Sequence, residues 1–206
     1  METSFPLLFA AFVGFSHALE ADHLVAVGNL VTKRDKLAFA IKDGIYWGLG
    51  HTSTIVLIGF IVIVGKATFL NSYFSYFEAI VGIMLILLGC FRLYQYFKKD
   101  KYLNDTTHSK KHHHLAYGVG LVHGLAGSGA MVLLVMTEIQ SGIKSMVYLA
   151  IFGIGSMIGM LVAAGIFSLP FSKKMASNQH LQFSLILLSS ILCIMYGAYV
   201  AVENLA

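Results

Sequence analysis

Six apolar stretches, each close to the length a helix needs to cross a bilayer, make up most of this chain: residues 6–31, 43–65, 78–97, 115–137, 145–169 and 181–202. A hydrocarbon core about 30 Å thick is crossed by roughly 20 residues of α-helix. No water is available there to satisfy a backbone N–H or C=O, so the segments read as helices. Composition agrees, with 57% hydrophobic and only 12% charged residues, against about 25% charged in a soluble domain. The expectation is an all-α integral membrane protein with six transmembrane helices. The first segment has no Lys or Arg ahead of Lys33 and no small-residue cleavage site, so it reads as a retained span rather than a signal peptide.

The basic residues orient the chain. Lys33, Arg34, Lys36 and Lys42 fall in the first loop; Arg92, Lys98, Lys99, Lys101, Lys110 and Lys111 in or beside the third; Lys173 and Lys174 in the fifth. Only Lys66 and Lys144 fall on the other side. By the positive-inside rule the odd loops are cytoplasmic and both termini lie outside. The net charge of +4 therefore has a topological origin and implies no nucleic-acid partner. Cys90 and Cys193 lie in different spans without a CxxC spacing, and read as small buried apolar residues rather than a redox pair.

"GFSHALEADHL" at 14–24 aligns with "GLVHGLAGSGA" at 120–130, placing His17 over His123, and "GLGHTST" at 48–54 aligns with "GIGSMIG" at 153–159. Halves of three spans each must face opposite ways across the membrane. The chain therefore divides into a first three-helix repeat (1–97), a His/Lys-rich cytoplasmic loop (98–114) and a second, inverted repeat (115–206), an architecture recurrent among transporters. The pairs Gly44/Gly48, Gly120/Gly124 and Gly155/Gly159 read as small-residue packing seams.

The ionisable residues inside the spans are few: His17, Glu20, Asp22, His23, His51 and His123. One such group at the bilayer centre costs from about 3 to more than 10 kcal/mol. The four within "HALEADH" need pairing, proton sharing or a cation. At ~100° per residue, His17, Glu20 and His23 share a helix face about 120° wide, while Asp22 points some 140° from His17. Either Asp22 orients a histidine from behind, or the helix unwinds near Gly14 or Ala21. Imidazole with carboxylate suits late transition-metal dications such as nickel, cobalt, zinc or iron, and suits magnesium or calcium poorly. The bland alternative is a polar network that fixes helix register. His17, Asp22, His23 and His51 are the first candidate ligands. Glu20, His123, Thr52, Ser53 and Ser128 are further ligands or path-lining groups, with Gly124, Gly127 and Gly129 marking a possible second helix interruption. His108, His112, His113 and His114 in the loop form a weak metal tract or a solvated basic segment.

His17, Asp22 and His23 as H-x4-D-H in one apolar helix, followed by "GHTST" in the next, resemble the nickel/cobalt transporter family. "GLVHGLAGSGA" resembles its shorter, UreH-like branch. The resemblance covers all six spans. It implies a secondary transporter in a prokaryotic cell membrane, moving nickel or cobalt with no permanently bound cofactor, and partners such as a metallochaperone or the urease-maturation machinery. It places the family's metal residues on His17, Asp22, His23 and His51. The larger permeases carry arginine before the first histidine, where this chain has Ser16, and aspartate where it has Glu20. They also have eight spans, and a phenylalanine–aspartate motif where this chain has the His123 segment.

Moving a dication into a cell at −100 mV releases about 4.6 kcal/mol, so uptake can run on the potential alone, whereas export would need coupling, most simply to protons through the same His and carboxylate groups. No phosphate-binding loop occurs, which excludes an ATP-driven pump in this chain. A membrane haem protein would use the histidines but not Glu20 or Asp22. A membrane metalloenzyme would need H-E-x-x-H or di-iron spacings that the spans lack. The reading is a metal permease that is not an enzyme.

Overall fold

The computed structural model describes residues 4–31, 37–66, 72–98, 113–126, 141–171 and 179–205, and the regular structure in them is helical. In order these are α1 (Ser4–His17), α2 (Ala21–Val31), α3 (Leu37–Gly59, ending in a π turn Phe60–Val64), α4 (Phe74–Phe97), α5 (113–126), α6 (Gly142–Ser168, followed by a 3-10 turn Leu169–Phe171) and α7 (Gln179–Leu205). Four stretches are long and apolar enough to cross a membrane, at Leu37–Ile63, Phe74–Phe97, Gly142–Ser168 and His180–Leu205. At most half of each is buried inside the protein, and Leu57, Leu87, Ile154 and Met195 stand exposed on their outer faces. An apolar surface this continuous is unstable in water and comfortable in hydrocarbon. The chain is a membrane protein.

The expected first span, 6–31, is two helices rather than one. The Leu19 amide bonds the Ser16 carbonyl and the Glu20 amide the His17 carbonyl, each at 3.0 Å. These three-residue turns tighten the end of α1, and the Leu24 amide then opens α2 on the Glu20 carbonyl at 3.0 Å. The interruption lies at Ala18–Glu20 rather than at Gly14. Helix α1 runs straight through Gly14 because that glycine serves packing: a Cβ there would collide with the Phe152 carbonyl of α6.

The other glycine seams act in the same way. Gly44 and Gly48 admit Ala164 and Met157 of α6; Gly120 and Gly124 of α5 admit the Trp47 and His51 carbonyls of α3; Gly155 and Gly159 of α6 admit Ala11 and Ala18. Gly82 and Gly197 face each other across α4 and α7, where a Cβ on either would stand 2.6 Å from the other's carbonyl oxygen. Helix α4 packs extensively on α7, and α6 on both α3 and α1. Helix α2 is tied to α7 by buried Asn29, whose amide donates to the Ser189 carbonyl at 2.8 Å and whose Oδ1 accepts from Ser190 Oγ at 3.1 Å.

Two expectations need amendment. The loop expected to reach 114 ends sooner, because His113 and His114 already lie on α5; residues 99–112, with His108 and His112, are outside the described residues, as are 127–140 with Ser128. Cys193 is buried, its Sγ 3.3 Å from the Leu85 carbonyl, but Cys90 sits on the exposed face of α4.

Candidate metal centre

The break between α1 and α2 turns two helix ends toward the middle of the molecule. His17 occupies the last turn of α1 and Asp22 the first turn of α2. A cation is favoured at the first of these ends and an anion at the second, by the peptide dipoles. Mid-α3 contributes His51 and α5 contributes His123. His23, His51 and His123 are fully buried.

The rings form one cluster. Centroids lie 4.6 Å apart for His17 and His23, 5.1 Å for His23 and His51, 5.4 Å for His17 and His51, and 4.2 Å for His23 and His123. Phe152 closes the His17 side at 5.4 Å, and Trp47 packs on His23 at 5.7 Å and on His123 at 5.8 Å. Each of His17, His23 and His51 offers a nitrogen within 4.8 Å of the other two; Asp22, His23 and His123 form a second such group.

Carboxylates hold the outer nitrogens. Glu20 Oε2 lies 3.0 Å from His17 Nδ1. Asp22 Oδ1 takes His23 Nδ1 at 2.9 Å and its own neighbouring amide at 2.8 Å, while Oδ2 takes His123 Nε2 at 3.0 Å. A carboxylate accepting one ring N–H leaves the opposite nitrogen with its lone pair free, the arrangement that surrounds metal-binding histidines. The inner nitrogens are indeed without partners: His17 Nε2, His23 Nε2, both nitrogens of His51, and His123 Nδ1. A buried polar atom left unsatisfied costs ~1–3 kcal/mol. Several such atoms in one cluster are a cost that a bound dication would lower.

The structure thus brings together His17, Asp22, His23, His51 and His123. It keeps Glu20 at the rim, 59% exposed. The three hydroxyls after His51 are engaged elsewhere. Thr52 Oγ1 donates to the Gly153 carbonyl, Ser53 Oγ back to Leu49, and Thr54 Oγ1 to Leu121 at 2.9 Å. His113 does not act as a loop residue: it is buried on α5, its Nδ1 2.6 Å from Asp43 Oδ1 and its ring stacked on Tyr46. His114 is exposed. Sequence reasoning missed the Asp43–His113 pair because Asp43 reads as part of the cytoplasmic edge of its span. An acid two turns before His51 was the available signal. Trp47 and Phe152 were likewise missed as the aromatic walls of the cluster.

The chain is 32% identical over 177 residues to a urease accessory protein UreH from a Bacillus strain, covering 81% of this chain and 78% of the relative. It is 30% identical over 208 residues to a Methanocaldococcus jannaschii protein named "Putative nickel/cobalt efflux system", covering 94% and 92%. The chain belongs to the nickel/cobalt transporter family. No family model and no solved structure matches it. Both relatives extend over most of this nickel/cobalt transporter family member, so the resemblance is not confined to the histidine motif. Their names describe a transport system and an accessory protein rather than enzymes.

Proposed function

We propose that this protein is a secondary transporter of divalent transition-metal ions, nickel and cobalt foremost, and that its substrate ion is held by His17, His23 and His51. The observation that carries the reading is that His17, His23 and His51 each offer a nitrogen within 4.8 Å of the other two, and that each also holds a buried nitrogen without a partner. Asp22 orients His23 and His123, and Glu20 orients His17 at the rim. Three imidazoles and nearby carboxylates select a late transition metal over magnesium or calcium, with zinc or iron as further substrates. The four rings pack against one another, with no two of the neighbouring rings parted widely enough to hold a macrocycle between them, which argues against haem.

In this reading the chain folds as two three-helix repeats of opposite orientation, 1–97 and 115–206, with both termini outside the cell membrane. Matching close approaches support it. A Cβ on Gly14 would strike the Phe152 carbonyl and stand 3.0 Å from the Ser156 amide nitrogen; on Gly120 it would strike the Trp47 carbonyl and stand 3.0 Å from the His51 amide nitrogen. Gly155 admits the Ala11 carbonyl as Gly50 admits that of Tyr117. Each residue lies 105 or 106 positions from its counterpart in the other half. Helix α1 on α6 therefore repeats α5 on α3.

Inward movement follows the membrane potential and is our first reading; the second relative's name speaks of efflux, and export, for which protons are the simplest coupling ion, is the other. Nickel, cobalt, zinc, iron and manganese contents of cells expressing the wild type or the His51→Ala variant separate them. A His51-dependent rise in nickel or cobalt is expected. A His51-dependent fall would reverse the direction, and no change with confirmed insertion would overturn the transport assignment.

A further inference from the structure

Resting on the reading just given, we propose that Asp43 and His113 form the cytoplasmic gate of the ion path, a latch across the two halves that parts when the centre opens to that side. His113 Nδ1 donates to Asp43 Oδ1 at 2.6 Å, with only 5% and 1% of the two side chains exposed. Asp43 belongs to α3 in the first half, and His113 opens α5 in the second. Rocking of one half against the other around a fixed site is how such repeats expose an ion to either side in turn. A bond between the halves at one end of the path resists that motion until it breaks.

The pair ends a seam that leads to the centre. Asp43 meets His113, the Trp47 carbonyl meets Gly120 and the His51 carbonyl meets Gly124, so α3 and α5 run side by side in the same direction. Asp43, Trp47 and His51 follow at four-residue steps on one face of α3. The latch therefore lies about 12 Å along the helix from His51. Between them stands Trp47, fully buried, its ring packed on His23 and His123. On its far side the latch adjoins exposed Lys42 and His114.

The opposite end is closed by other means. Under the relation of 105 and 106 positions, Asp43 matches Tyr148 and His113 matches Leu7. Tyr148 packs in an apolar cluster with Ala10, Leu149 and Phe152. Opening an apolar seal exposes apolar surface to water, whereas a parted carboxylate and imidazole are hydrated at once, and the exchange of bonds costs little net. The His113 ring is stacked on Tyr46 and its Nε2 is buried without a partner, so parting also gives that nitrogen its water.

The test uses full-length protein in detergent with Co2+ as the probe. Asp43→Asn and His113→Ala should keep the cobalt spectrum of the three-histidine group. Each should speed release of bound Co2+ to an added chelator by about tenfold or more, the worth of one hydrogen bond to a charged group. The double variant should release no faster than the quicker single one, since one latch is broken once. Asp43→Cys with His113→Cys, bridged by a short reducible thiol cross-linker, gives the converse in proteoliposomes: Co2+ flux should stop, with the spectrum kept, and return on reduction. Asp43→Cys alone under the same reagent controls for Cys90 and Cys193. Unchanged release rates in the single variants, or undiminished flux through the bridged protein, would overturn the gate. Loss of cobalt absorption from the variants alone would also overturn it and make the pair a support of the fold. Loss from the wild type would instead overturn the three-histidine centre, and the gate with it.

Discussion

Asp22 is the residue on which the centre turns. Its two oxygens serve His23 and His123 separately, which asparagine cannot reproduce, since an amide presents one acceptor and one donor. Asp22→Asn should weaken nickel binding by about 10–100-fold, as loss of such an orienting partner does. Equilibrium dialysis of the purified variant against a competing chelator measures this, and unchanged affinity would remove Asp22 from the centre. Glu20→Gln should cost less than about tenfold, because Glu20 is 59% exposed and water can replace its bond to His17. At this scale the sequence was informative about chemistry and silent about burial. His17, Asp22, His23 and His51 are recognisable because ionisable groups in an apolar run need a reason. Nothing local distinguishes Glu20 at the rim from Asp22 inside, or shows that His113 leaves its basic tract to meet Asp43 from seventy positions away.

Among the elements, the long apolar helices were legible from length and composition, with ends displaced by a few residues. Helix α3 begins at Leu37 rather than 43 because its first turns lie beyond the apolar run, carrying exposed Lys42 and the paired Asp43. The break at Ala18–Glu20 was anticipated by the geometry of four polar groups, but its position depends on which glycine is needed for packing, and that is set by α6. Gly14→Val and Gly120→Val should each disturb a close helix contact at a cost of ~1–3 kcal/mol or more, whereas Gly118, with nothing within 4 Å of a Cβ, should accept alanine freely. Thermal aggregation midpoints in detergent compare the three; equal losses would refute the seam. Asn29→Ala removes two interhelical hydrogen bonds between α2 and α7. At ~0.6 kcal/mol for each such bond, reaching about 1.7 at most, it should lower stability by roughly 1–3 kcal/mol without altering the cobalt spectrum. A changed spectrum would show that α7 positions the centre.

For the whole molecule, the distribution of Lys and Arg predicts both termini outside, and periplasmic and cytoplasmic reporter fusions at each end would test it: opposite sides for the two termini would refute the paired inverted halves. The sequence hinted at those halves through two short alignments. Close approaches at Gly14, Gly50, Gly120 and Gly155 give the relation far more content than the residue identities do, because packing keeps a backbone shape after the side chains have diverged. In the proposed repeat, His51 and Ser156 are matching positions that carry different side chains.

The pair of hydrogen bonds at Asp22 has a mechanical meaning as well. The one to His23 stays within α2, while the one to His123, 3.0 Å long, crosses to α5. In the proposed two-repeat arrangement, any rocking that parts those helices by more than the length of a hydrogen bond must break the His123 link and free its Nε2, while His23 keeps its orientation. In that arrangement the carboxylate works as a gauge of the spacing between the halves, with one oxygen held on a proposed ion ligand.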